Sequence, residues 1–169
     1  AQMIGLRDIV RSARNDGIES RLQAVPSIAL GTFEIVPLEL ASAYTTIANL
    51  GTRVVPRSLV AVVDASGKVF SVPIRPSQQA STPQAAYLTL DLMRDVVRHG
   101  TGAGIWAYGI EGEFAGKTGT TDDGRDAWFV GFNPDFLGLA WVGFDNNRPL
   151  RLGGSAFLYG GAPEVNRPS

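Results

Sequence analysis

The sequence predicts an α+β fold in which an antiparallel sheet packs against helices. Two segments carry apolar residues at helical spacing behind a proline at the first helical position, which predicts helices over 37–49 and 83–99. Three apolar segments separated by short turns then predict adjacent strands at 114–121, 127–132 and 137–144. Helices followed by a meander, without strand–helix alternation, are typical of the α+β class.

The other elements are predicted from local signals along the chain. Apolar residues spaced from Ile4 to Val10, followed by the stop signal Asn15-Asp16-Gly17, predict an N-terminal helix. Residues 22–33 are predicted to form a loop and 77–82 a polar linker. The β-branched residues 59–63 and 68–72 flank an Asp-Ala-Ser-Gly turn, which predicts a hairpin.

Composition excludes several classes of function. The 169 residues suffice for one domain, and the net charge of −1 gives no electrostatic reason to bind nucleic acid. With no cysteine and one histidine, neither a thiolate site nor a multi-histidine metal centre can form, and we expect no metal and no cofactor. No run approaches the roughly 18 apolar residues that a membrane span requires.

The segment from Ala115 to Thr121, with the sequence AGKTGTT, is the sharpest motif. Its Gly-Lys-Thr suggests a phosphate loop, but the spacing of that loop requires a glycine at position 111, which is Glu111. The Gly-x-Gly at Gly102 imitates a dinucleotide fingerprint, yet it follows a predicted helix where the fingerprint follows a strand. We therefore interpret the segment as a strand that lines a cleft.

On such a strand the side chains of Thr118 and Thr120 share one face, and Lys117 points to the other. Two hydroxyl groups on one face suit a carboxylate, because each can donate one hydrogen bond. Gly119 leaves the strand surface bare, so that a substrate backbone can approach closely. Lys117 supplies a fixed positive charge beside a nucleophile.

Lys-Thr-Gly is one of three signatures of penicillin-binding proteins and serine β-lactamases. The chain resembles the C-terminal part of a penicillin-binding transpeptidase domain, and is most similar to the bifunctional class A type, over about residues 1–156. The blocks that carry the resemblance are AGKTGTT (115–121), DAWFVGF (126–132), WVGFDN (141–146), ALG (29–31), VPLELA (36–41), AY (43–44), IANLG (47–51) and RHGTG (98–102). Residues 157–169 are expected to be a polar tail.

The resemblance implies a β-lactamase/transpeptidase-like fold, incomplete at its N-terminal side, that crosslinks peptidoglycan stem peptides through an acyl-serine intermediate. It implies two catalytic residues: Lys117 in the hydrogen-bond network of the serine, and Thr120, whose backbone N–H is one oxyanion-hole donor. Thr118, Gly119 and Thr120 would bind the substrate. Implied partners are stem peptides ending in D-Ala-D-Ala and β-lactam antibiotics, at the extracytoplasmic side of the cell envelope.

The sequence departs from the family pattern at the nucleophile. No serine has a lysine three residues on, and no Ser-x-Asn occurs. Because family order places both motifs upstream, we expect them, and a membrane anchor, before residue 1, and we expect this fragment alone to be inactive. A non-catalytic scaffold with this fold and a fragment of a serine β-lactamase remain alternatives.

Four further features have two interpretations each. His99 lies near the C-terminal end of a predicted helix, where we expect a favourable interaction with the helix dipole; membership of a catalytic triad is the alternative. The acidic turn Asp122, Asp123 and Asp126 is expected to be solvated, although a cation site is the alternative. Arg125 is expected to be a turn residue, with substrate contact as the alternative. The strand aromatics are expected to be mostly core, with one or two lining the cleft as the alternative. These aromatics are Trp128, Phe129, Phe132, Trp141 and Phe144.

Overall fold

The computed structural model describes residues 4–121 and 123–150. Its helices are α1 (Leu6–Asn15), α2 (Pro37–Ala48) and α3 (Pro83–Arg98), with 3-10 helices at Pro26–Leu30 and Ala103–Tyr108. Its strands are β1 (Thr52–Arg53), β2 (Ala61–Val63), β3 (Val69–Ser71), β4 (Gln78–Gln79), β5 (Ala115–Thr120), β6 (Asp126–Phe132) and β7 (Leu137–Gly143). The predicted α+β class is confirmed.

The two long helices begin where the sequence predicts. Pro37 and Pro83 each occupy the first turn, where the missing proline N–H leaves no hydrogen bond unmade. The Thr82 hydroxyl caps α3 by accepting a hydrogen bond from the backbone N–H of Ala85 at 3.3 Å. At its other end α3 stops at His99, as predicted.

Strands β5, β6 and β7 form one antiparallel sheet in chain order. Ala115 faces Phe132 and Thr120 faces Ala127 across β5 and β6, and Phe132 faces Leu137 across β6 and β7. In this register Ala115, Phe132 and Leu137 share one face of the sheet. The predicted meander is confirmed, and its register decides which face each side chain occupies.

The core lies where α2 and α3 pack against Ala115, Phe132 and Leu137. Met93 of α3, Ala115 and Phe132 are buried together. The partly buried side chains around them come from both helices and from β7, and are Tyr44, Ile47, Ala48, Leu90 and Leu137. Burial raises the pKa of the Tyr44 phenol above its usual value. Because Ala115 is the first residue of β5 and is buried in this core, the packing of the helices fixes the position of the strand.

The structure differs from the sequence prediction in several details. Helix α1 begins at Leu6, because Gly5, the residue that precedes it, has a φ of +91°, outside the helical region. The segment predicted as polar linker contains β4, which pairs with β1 in the register Thr52 to Gln79. The predicted loop at 22–33 contains a 3-10 helix. Each of these features depends on a contact or a local turn, and neither of these produces a periodic pattern of apolar residues in the sequence.

The expectation that the strand aromatics are mostly core is only partly correct. Phe132 is buried, but Trp141 is 41% exposed and Phe144 is 38% exposed. The expected domain end at residue 156 and the expected tail at 157–169 lie outside the described residues. Within the described residues, no helix has both the length and the apolar character to cross a membrane.

Candidate active site

Strand β5 forms the outer edge of the meander within the described residues. At its end, the backbone N–H of Thr121 donates to the carbonyl oxygen of Asp126 at 3.2 Å. In an antiparallel pair the backbone groups of alternate residues point toward and away from the partner strand. Because Thr121 points toward β6, the backbone N–H and C=O groups of Thr118 and Thr120 face the open edge.

The Lys117 ammonium reaches the same open edge. Lys117 is exposed, and its Nζ donates to the carbonyl oxygen of Thr118 at 2.6 Å. On the neighbouring strand it lies opposite Val130, which is 2% exposed. The side chains of Lys117 and Thr118 point to opposite faces of the sheet. Because β5 is an outer strand, both side chains can still lie next to its open edge.

The two threonines of the motif lie on one face, as predicted, but in different surroundings. Thr118 is opposite Phe129 and Thr120 is opposite Ala127. The Thr118 hydroxyl oxygen lies 2.6 Å from the hydroxyl oxygen of Thr101, a residue that follows α3. Thr120 is exposed to solvent. In the sequence, Thr101 stands out only as part of the segment RHGTG (98–102), and no local pattern assigns it a role in the site.

Two glycines of the motif make close contacts. A Cβ on Gly116 would lie 2.9 Å from the carbonyl oxygen of Val130 and 3.1 Å from Cγ2 of Val97, so the Val97 side chain of α3 packs directly on the backbone of β5 at this glycine. A Cβ on Gly119 would lie 3.3 Å from Cβ of Trp128. Gly119 thus leaves room for its cross-strand neighbour, and the close approach of a substrate backbone at this residue stays a prediction.

The end of α3 is held beside β5 by its own last carbonyl groups. The backbone N–H groups of Gly100 and Gly102 both donate to the carbonyl of Val96, at 3.1 and 3.0 Å. The indole Nε1 of Trp106 donates to the carbonyl of Val97 at 2.9 Å. These bonds satisfy acceptors that a helix end leaves free, and they fix the loop that carries Thr101.

The turn between β5 and β6 is also tied by side chains. The Thr121 hydroxyl accepts hydrogen bonds from the N–H groups of Arg125 and Asp126 at 2.8 and 3.0 Å. Asp126 accepts from the Trp141 indole at 2.9 Å, which links the start of β6 to β7. These bonds hold the end of β5 in register with the rest of the sheet.

The remaining candidates lie around this turn and at the end of α3. The Arg125 guanidinium donates hydrogen bonds to the Asp123 carboxylate and to the carbonyl of Asn147, so two of its nitrogen atoms already have partners within the chain. Asp122 lies outside the described residues. His99 is exposed beyond α3, with Nδ1 3.9 Å from Asp95. Within residues 4–121 and 123–150, no three acidic, histidine or cysteine side chains come together as a metal site.

The arrangement resembles known proteins in sequence and in structure. The chain is 42% identical over 151 residues to penicillin-binding protein 1A of Neisseria gonorrhoeae, covering 86% of this chain and 18% of that protein. It is 39% identical over 138 residues to penicillin-binding protein 1B of Escherichia coli, covering 82% and 16%. The chain therefore spans less than a fifth of the length of these relatives.

The solved structures agree with the fold. Penicillin-binding protein 1A of Haemophilus influenzae superimposes with a TM-score of 0.80 at 23% identity, over 88% of this chain and 28% of that chain. PonA1 of Mycobacterium tuberculosis in complex with penicillin V gives 0.67 at 26% identity, over 86% and 43%. The family model described as the penicillin-binding protein transpeptidase domain matches residues 8–145, and the chain belongs to this family.

Proposed function

We propose that this chain forms the C-terminal part of a class A D,D-transpeptidase domain that crosslinks peptidoglycan stem peptides and is acylated by β-lactams. The proposal rests on the arrangement at β5. An ammonium, two threonine side chains and outward-facing backbone N–H groups border one open strand edge. That set of groups can hold a carboxylate and stabilise a developing oxyanion at neighbouring positions.

In the proposed reaction a serine alcohol attacks the carbonyl between the two terminal D-alanines of a stem peptide. An ester to the serine forms and the terminal D-Ala leaves; the amine of a second stem peptide then attacks the ester and frees the serine. The outward-facing N–H of Thr120 donates to the oxyanion in both steps. Losing one such donor costs about 3–4 kcal/mol of transition-state stabilisation.

The other motif residues act on charge and position. The Lys117 ammonium lies at the edge where the serine alcohol must lose its proton, so it stabilises that network electrostatically. The hydroxyls of Thr118 and Thr120 donate to the terminal carboxylate of the stem peptide or of the β-lactam. Gly119 admits the ligand backbone beside the strand, which places the reacting carbonyl near the Thr120 N–H.

The nucleophile is proposed to lie on polypeptide outside these 169 residues. No serine in the sequence has a lysine three residues on, and the relatives are more than five times as long as the matched segment. A membrane anchor is likewise proposed on polypeptide outside these residues, with the domain on the extracytoplasmic side of the membrane. This chain by itself is therefore expected to form no covalent adduct with penicillin.

The test uses the full-length protein that carries this segment and a labelled penicillin. We expect one stoichiometric, serine-linked adduct in the wild type. Lys117→Ala should lower the acylation rate by about 100-fold or more, as loss of a group in a proton-transfer network typically does. Lys68→Ala is the matched control, because Lys68 is the other lysine of the chain and lies over the Phe70 ring in a distant hairpin.

Four outcomes would contradict the proposal. An adduct on this chain alone would place the nucleophile within it, and an unaltered rate in Lys117→Ala would remove the role of the ammonium. A full-length protein that never acylates would favour the scaffold alternative. Rapid turnover of nitrocefin by the wild type would favour a β-lactamase.

A further inference from the structure

We infer that Thr101, which lies outside the Lys-Thr-Gly motif, is a positioning residue that aims the Thr118 hydroxyl proton at the carboxylate of the ligand. This inference rests on the proposed function and adds a residue from another element to it. Its structural basis is the 2.6 Å separation between the hydroxyl oxygens of Thr101 and Thr118.

The position of Thr101 is fixed by the end of α3. The residues on either side of it, Gly100 and Gly102, both donate their backbone N–H groups to the carbonyl of Val96. Gly102 is buried, and a Cβ there would lie 3.2 Å from that same carbonyl oxygen. Thr101 itself is exposed, so its hydroxyl is presented to β5 from a rigid loop.

The same helix end is fixed against β5. Val97 is fully buried, and its Cγ2 lies 3.1 Å from where a Cβ on Gly116 would stand. Gly116 precedes Thr118 by two residues on the same face of the strand. The contact between helix and strand thus holds the two threonine hydroxyls within hydrogen-bond distance of each other.

The direction of this hydrogen bond decides what Thr118 can do. A threonine hydroxyl has one proton to donate, whereas a carboxylate only accepts. If Thr118 donates to Thr101, no proton remains for the ligand. When a carboxylate binds, Thr101 must therefore donate to Thr118 and Thr118 to the carboxylate. Such a chain polarises both hydroxyls and strengthens the bond to the ligand.

The test compares variants of the full-length protein with two probes: penicillin V and its methyl ester, which lacks the carboxylate charge. Thr101→Val removes the hydroxyl and keeps the shape. We expect it to lower the acylation rate constant with penicillin V by about three- to tenfold, the effect of one lost hydrogen bond. Thr101→Ser keeps the hydroxyl and should stay close to the wild type. With the methyl ester, wild type and both variants should react at equal rates.

Two further variants separate positioning from a general structural effect. Thr89→Val makes the same chemical change on an exposed hydroxyl of α3 that donates to the Ala85 carbonyl of its own helix, and it should leave both rates unchanged. In a Thr118→Val background, Thr101→Val should cause no further loss, because its effect passes through Thr118. Should Thr101→Val not fold, Thr101→Ala removes the same exposed hydroxyl.

The inference is wrong if Thr101→Val leaves the penicillin V rate unchanged, or if it lowers the rates with both probes by the same factor. It is also wrong if the losses from Thr101→Val and Thr118→Val simply multiply. A wild-type protein that forms no adduct with penicillin V would instead overturn the proposed function itself. The two failures are therefore distinguishable in one experiment.

Discussion

Strand β5 and the hairpin of β2 and β3 were both predicted from local sequence, but the structure holds them by different means. Every residue of β2 and β3 is exposed. In contrast, β5 begins with two buried residues, Ala115 and Gly116, and two of its other four residues, Thr118 and Gly119, are half-buried. The two regions have the same local structure and differ in how much of the fold they contact.

The hairpin is held by its own turn. One carboxylate oxygen of Asp64 accepts hydrogen bonds from the N–H and hydroxyl of Ser66 and from the N–H of Lys68, at 2.9, 2.6 and 3.0 Å. All of these partners lie within four residues. The strand edge of the candidate site is instead held by Val97 and Thr101, which are distant in sequence. A site that must hold a ligand in one geometry therefore uses long-range contacts.

The largest expected effect comes from separating β5 from α3. Gly116→Ala places a methyl group 2.9 Å from a backbone oxygen and 3.1 Å from Val97, so strand or helix must move. Overpacking of this kind costs about 1–3 kcal/mol. We expect a lower unfolding temperature of the transpeptidase domain in the full-length protein, together with slower acylation by penicillin.

Gly138→Ala is the matched control for this change. Gly138 lies in the same sheet, on β7, and among the residues that the structure describes a Cβ there would meet only the Gly131 carbonyl oxygen, at 4.0 Å. Its unfolding temperature and acylation rate should match the wild type. Equal effects of the two substitutions would mean that the approach of α3 to β5 is not what distinguishes the site.

The elements around the site were predictable wherever their signal is local. The proline at 83, the Thr82 cap and the apolar spacing of α3 lie within one segment, and so do the strands and turns of the meander. The pairing of β1 with β4 was not predicted, because it joins residues about 26 positions apart with no hydrophobic pattern. The contact of Thr101 with Thr118 was missed for the same reason, since it follows only from how α3 docks.

A smaller effect is expected from loosening the end of α3 without adding bulk. Trp106→Phe removes the indole N–H that donates to the Val97 carbonyl and keeps an aromatic ring at the edge contact with Phe114. The loss of one such hydrogen bond costs about 1 kcal/mol. A modest fall in unfolding temperature should be measured by calorimetry. Tyr108→Phe, at a residue that is 75% exposed, should cause none, and a larger fall there would contradict this account.

The smallest effect is expected in the hairpin, where it should stay local. Hydrogen bonds from the Ser66 hydroxyl and the Lys68 N–H hold the pKa of Asp64 below its usual 3.8. A carboxyl whose pKa is lowered by folding stabilises the folded form above 3.8, and this contribution disappears as the pH falls through the folded-state pKa. As the pH falls below 3.8, hydrogen exchange of residues 59–72, corrected for the intrinsic rate, should lose protection while that of β6 does not. Asp64→Asn should abolish this pH dependence, because an amide does not titrate in that range. If the variant loses protection on acidification as the wild type does, then the turn is not what holds this hairpin, and its contrast with β5 fails.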